Sequence, residues 1–255
     1  TLREYGEEQL AAEGETERVR HRHAAYFLQW AEAARPELDG AAGARWLDRL
    51  EREHDNLRAA LDWLAGQGRI AEAMRLALAL RPFWWDRYHR IEGQRRLLAL
   101  VALTDPSDPS PERAHLINYA GHFAWWQGNL ETAHSLFQQS LPLLEQINDQ
   151  PLRADTFGIL GHLTMEQHGD SRATRTLYEQ GLAAYRALGH SRGIAGALFW
   201  LGQLARGEQP DVGLVLASLG SPLAARGSHE AARSLLTESL AIRQLRFEQL
   251  GIAEC

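Results

Sequence analysis

A forty-residue internal period constrains this chain more than any other feature. Gly121 and Gly161 stand forty residues apart, as do Ala133 and Ala173, and each of these glycines is followed by a histidine, His122 or His162. One copy reads Asn118-Tyr-Ala-Gly121-His122, then Gly128-Asn129-Leu-Glu-Thr-Ala133 through Phe137. The next reads Ile159-Leu-Gly161-His162, then Gly169-Asp170-Ser-Arg-Ala173 through Leu177 and Tyr178. A weaker copy ends at Gly93 and Leu97, another is expected to start at Leu201-Gly202, and a clear one runs through Leu219-Gly220, Gly227, Ala232 and Leu236. Gly202 and Gly220 are only 18 residues apart. Either the helix expected from Asp211 to about Ala225 serves two units, or the register is disturbed there. A unit of this length cannot bury its apolar face alone, so copies must stack on one another.

The content of each unit is helical. Apolar residues recur at spacings of three and four nearly throughout, and no sustained apolar/polar alternation marks a strand. Breaks are expected at Gly66-Gln-Gly68, Asp105 to Pro111, Gly128-Asn129, Asn148 to Pro151, Gly169-Asp170, Gly189 to Ser191, Gly207 to Pro210 and Gly227-Ser228. Ser110 before Pro111, Asn129 and Ser228 are expected N-caps. Helices of about 14 to 20 residues joined by such short turns must pack as antiparallel neighbours.

The order of Leu/Ala-Gly, a glycine turn, Ala and Phe/Leu resembles the tetratricopeptide repeat (TPR), in which paired helices approach through small residues. The resemblance implies an all-α, TPR-like right-handed superhelix of antiparallel helix pairs. In such arrays the residue after the packing glycine faces the concave groove, together with positions seven before it and three or four after it. Carried onto this chain, that places His115, Asn118, His122, Trp125 and Trp126 on the wall of one unit. It selects Asp155, His162, Met165 and Glu166 in the next, and Phe199, Gln203 and Arg206 in the third. In the weak preceding unit it selects Arg75, Trp85 and Asp86. Aromatic anchors beside a few hydrogen-bonding groups suit a peptide or a ring-bearing small-molecule effector. The competing reading is that Trp84, Trp85, Trp125 and Trp126 fill space between helices. Adjacent residues point about 100° apart, so one of each pair can be core while the other is exposed; Trp85 and Trp125 are the expected groove members.

The N-terminal third differs. Leu2-Arg-Glu-Tyr, His21-Arg-His-Ala-Ala-Tyr26-Phe and Trp46-Leu-Asp-Arg-Leu50-Glu-Arg-Glu-His54-Asp-Asn-Leu57-Arg-Ala-Ala-Leu61 follow in that order. This passage resembles the junction between the winged-helix end of the ATPase module and the helical repeats in bacterial STAND (NB-ARC-type) transcriptional regulators, LuxR-type or antibiotic-regulator-type. The resemblance implies residues 1–14 as the tail of a preceding module, 15–110 as a helical part with degenerate repeats and 111–255 as the TPR-like repeats. It also implies a sensor and autoinhibitory role, with the chain's own ATPase module as one partner and a cytoplasmic location. Opening at Thr1 without Met and stopping at Cys255 fits an excised piece of something longer.

Several chemistries have no apparatus here. There is no GxxxxGK[ST] loop and no lysine to serve in one, no GxSxG elbow and no HExxH helix. No catalytic residue and no cofactor are therefore expected. Cys255 is the single cysteine, which leaves no intrachain disulfide and no thiolate metal site. His21 and His23, two apart on a helix, point to different faces, and no metal is expected. A net charge of −6 lacks the basic footprint of a module that grips phosphates, so this segment is not expected to contact nucleic acid directly. No stretch is long and apolar enough for a membrane helix. The expectation is a non-catalytic binding and sensor region of a transcriptional regulator; the alternative is a stand-alone TPR adaptor that assembles other proteins.

Overall fold

The computed structural model describes residue 9 and residues 12–206, with side chains placed there except at 202, 203, 205 and 206. Ten α-helices and no strand occur among the described residues. The fold is all-α and built of TPR-like antiparallel helix pairs, as the period requires. The copy around Leu219–Leu236, the cap at Ser228 and the helix expected from Asp211 lie outside the described residues.

The chain divides into two compact units, Thr1–Gln127 and Gly128–Cys255. The first carries α1 (Thr16–Leu38), α2 (Gly43–Arg52), α3 (His54–Gly66), α4 (Ile70–Asp86), α5 (Arg90–Ala102) and α6 (Pro111–Trp126). The second carries α7 (Leu130–Gln146), α8 (Gln150–His168), α9 (Ser171–Ala187) and α10 (Ser191–Arg206).

The helix starts follow from the residues placed there. The Ser110 hydroxyl accepts from the Arg113 amide at 3.3 Å, with Pro111 opening α6. Asn129 caps α7 through the Thr132 amide, and Asp149 caps α8 through the Leu152 amide. Asp170 takes two amides, those of Arg172 and Ala173, at 3.0 and 2.9 Å. Each such cap is worth about 1 kcal/mol. Gly169 closes α8 in the left-handed region, its amide bonded to the Met165 carbonyl at 2.9 Å. Only a residue that tolerates positive φ ends a helix this way at no cost.

Small residues set the spacing of the helix pairs. A Cβ added at Gly161 on α8 would stand 2.6 and 2.8 Å from two ring carbons of Tyr178 on α9. At Gly93 on α5 it would meet the Phe123 ring of α6 at 2.9 Å. Gly121 is likewise buried on α6. In the second unit Ala154, Leu182, Tyr185 and Ala197 join α8, α9 and α10 in one apolar cluster.

In the first unit α1 packs on α4, and α4 on α6, so these leading helices lie side by side. The trailing helix after α1 is broken at Glu53 into α2 and α3.

Candidate functional site

A cleft of about 310 Å³ opens in the first unit along the leading helices α1, α4 and α6. Its walls are Glu32 and Arg35 from α1, Arg75, Leu78, Ala79 and Arg81 from α4, and Glu112, His115 and Tyr119 from α6. The three- and four-residue spacings within each set put these side chains on one face of their helix. Arg75 forks onto Glu32 with two bonds of 2.8 Å, and Arg35 reaches Asp39 at 3.1 Å. Both cations thereby hold a carboxylate partner.

Arg81 is different. Its guanidinium lies over the Tyr119 ring at 4.5 Å and forms no ion pair among the described residues. Burial pulls its pKa down, with Asp86 and Asp39 opposing and Arg35 adding to the effect. The same cation acts on its neighbour His122: burial first, and then Arg81, push that imidazole down to about 3. His122 is therefore neutral at physiological pH. Burial raises the Asp86 carboxyl, which Arg81 and Arg90 partly offset.

Of the expected groove residues in this unit, Arg75 and His115 line the cleft. Trp85 and Trp126 come together elsewhere, with ring centroids 5.5 Å apart and the Arg90 guanidinium lying over both at 5.0 and 4.4 Å. Tyr88 adds a third ring over the same cation, and Tyr88, Ile91 and Trp126 are exposed. Asn118 and Trp125 are corrections: both are buried, Trp125 at 4% exposure. Trp125 follows Gly121 by four residues and Asn118 precedes it by three. Both therefore share the glycine's packing face, and Trp126, not Trp125, is the open member of its pair.

In the second unit Asp155 accepts a hydrogen bond from the Tyr185 hydroxyl. Burial raises its carboxyl to about 6 even against that bond. His162 and Phe199 are again corrections. His162 is 2% exposed and lies 3.3 Å from Glu166, and Phe199 is buried with its ring 4.8 Å from Trp200. Helix α8 is packed by α7, α9 and α10 together, which leaves it little open surface. Met165 is half-buried, and Glu166 is exposed. The side chains of Gln203 and Arg206 lie outside the described residues.

A second cleft, of about 550 Å³, lies in this unit among His134, Gln138, Leu160, Thr164, His168 and Leu177. The groove rule selected none of them: Leu160, Thr164 and His168 stand on α8 at positions the rule does not sample, and the rest come from the trailing helices α7 and α9. Arg81, Tyr119 and Arg90 were missed for another reason. One arginine among 27 basic residues carries no signal in a single sequence.

No protein-family model matches the chain. Proteins of Mycobacterium bovis and Mycobacterium tuberculosis, provisionally named HTH-type transcriptional regulators, are 40% identical over 93 residues, or 36% of this chain. The chain spans about a tenth of the length of those curated relatives. Among solved structures it is similar to the TPR-like repeats of a protein of Podosopora anserina provisionally identified as a kinesin light chain. One such structure has 16% identity and a TM-score of 0.53, covering 89% of this chain and 98% of the other. A second has 15% identity and a TM-score of 0.51, covering 85% and 94%. At these identities the likeness is one of fold. No helix among the described residues is long and apolar enough to cross a membrane.

Proposed function

We propose that this chain is the non-catalytic, TPR-like sensor region of a cytoplasmic transcriptional regulator with a STAND-type ATPase, and that it binds its effector in the cleft of the first unit. The regulator half of the reading is supported by the 40% identity to the mycobacterial proteins and by the junction-like N-terminal third. Residues 1–14 would then trail the preceding module, with the degenerate repeats over 15–110 and the clearer ones over 111–255.

One observation carries the choice of site: Arg81 is a half-buried cation with no ion pair among the described residues, and it lines the cleft. Such a group is costly to keep unless something of opposite charge completes it. Arg75, His115 and Tyr119 supply further donors and a flat face around it. The effector is a peptide or small molecule with an anionic group, and its arrival shifts the balance between closed and open forms of the parent protein. The chain's own ATPase module is the other candidate for this wall.

The test is to purify the chain and an Arg81→Leu/His115→Ala variant from native lysate and identify retained peptides and small molecules by mass spectrometry. A ligand held by the parent chain and lost from a folded variant supports the reading; equal retention refutes it. Sequencing the gene upstream of Thr1 tests the other half, which fails if no ATPase and winged-helix module is encoded.

The exposed Tyr88, Ile91 and Trp126 favour a second reading as an adaptor, since aromatic surfaces of this kind anchor protein partners.

A further inference from the structure

Two corners of the first unit bring chemistry together that the effector cleft does not use. Glu51 lies in the last turn of α2, His54 opens α3, and His89 stands between α4 and α5. Although 38 residues separate Glu51 from His89, both carboxylate oxygens lie 3.1 Å from His89 Nε2. The His54 and His89 rings are 4.4 Å apart. One ligand atom from each of the three residues falls within 4.8 Å of the others. His54 is 6% exposed, and its sealed Nε2 makes no hydrogen bond.

We propose that Glu51, His54 and His89 form a binding site for a divalent transition metal of the zinc class. Two imidazoles and one carboxylate are a donor set for zinc and its neighbours, whereas calcium and magnesium demand oxygen ligands. In tetrahedral geometry, with bonds of ~2.0–2.1 Å, ligand atoms stand roughly 3.4 Å apart. The Glu51 and His89 atoms already meet that spacing, and the third must close by no more than about 1.4 Å, within reach of side-chain rotation. Glu51 is exposed, which leaves a fourth position open to water.

The surroundings suit the task. Burial lowers the His54 imidazole pKa, against the pull of Glu92, and so favours the neutral form that ligates a metal. Glu92 Oε2 lies 3.4 Å from His54 Nε2, and Glu92 is itself fixed by Arg58 and by Arg96, the latter at 2.7 Å. The cations of Arg58 and Arg96 are answered by Glu92 with Asp55 and Asp62, so the Glu51 charge remains for the ion. The site would staple the α2–α3 corner to the α4–α5 turn, and its ion would stabilise the first unit through linkage.

The experiment is to strip the chain with a chelator and titrate it with zinc chloride by calorimetry, with magnesium chloride as control. Thermal melts are run with and without zinc. Expected are one zinc per chain, a raised Tm with zinc alone, and affinity reduced tenfold or more in each of Glu51→Gln, His89→Ala and His54→Gln. Circular dichroism verifies folding; Glu51 and His89 are the less buried pair, so their variants keep the test valid if His54→Gln unfolds. A His21→Ala/His23→Ala variant should bind as the parent does. Absence of stoichiometric zinc binding overturns the proposal, as does binding that survives Glu51→Gln with His89→Ala or that is lost in the His21/His23 variant.

Discussion

Replacing Gly161 with leucine should cost stability even though leucine is the better helix former. The first added atom would stand 2.6 Å from a Tyr178 ring carbon, against 3.4–4 Å for ordinary contact, so helix or ring must give by nearly an ångström. The ring has little room, because Tyr178 is 1% exposed and its hydroxyl is sealed inside. Overpacking of this kind costs about 1–3 kcal/mol. Relief of the glycine penalty returns up to about 1 kcal/mol. A contact this short belongs in the upper part of the overpacking range, ~2–3 kcal/mol, so the net is a loss of about 1–2 kcal/mol, or a fall in Tm of roughly 2–8 °C for a protein of this size. Thermal denaturation followed by circular dichroism measures it. Gly66→Ala is the control, since a Cβ there meets nothing within 4 Å, and it should hold or raise the Tm. Adding Tyr178→Val to Gly161→Leu should restore part of the loss, a coupling that shows the clash to be the cause. A Tm unchanged in Gly161→Leu, or lowered equally in Gly66→Ala, would refute the close-packing argument.

Other consequences can be checked the same way. Burial raises the Glu92 carboxyl, but bonds from Arg58 and Arg96 outweigh it and hold the group at about 2. Its contribution is therefore present above the unfolded carboxyl pKa and fades as pH falls towards 2; Glu92→Gln should cost ~3 kcal/mol at neutral pH in denaturant titrations. Asp155 has the opposite sign: with its folded pKa raised to about 6, stability drops as pH rises from about 4 to 6. Asp155→Asn, which keeps an acceptor for Tyr185, should melt higher than the parent at about pH 7.5 and match it near pH 4, the unfolded carboxyl pKa. Arg81→Leu should leave helicity intact and, with its buried charge removed, hold or raise the Tm in the absence of ligand, and a marked fall would show that the cation is already compensated.

How much of this was legible in the residues depended on whether they act locally. The caps at Ser110 and Asn129 and the breaks at Gly128 and Gly169 are decided by backbone chemistry within a few positions, and they appear where expected. Gly161 was legible too, because a close helix contact demands a residue without a side chain. The wall was harder to read. Which face of a helix stays open depends on how many neighbours pack on it, and the periodicity of one helix does not carry that information. His162 and Trp125 went inside for this reason, while Trp126, one residue away, stayed out. The pairing of Glu51 with His89 depends on two corners from successive helix pairs, and only the assembled unit brings them within reach.

The unequal burial of the tryptophans gives the protein an optical handle. Trp84, Trp125 and Trp200 are enclosed, while Trp126 is 43% exposed beside the Arg90 cation. A neutral collisional quencher added to the chain should extinguish the red-shifted part of its indole emission first. Whatever settles over Tyr88 and Trp126 would shield that component and shift it to the blue, so occupancy of this face can be followed without a label.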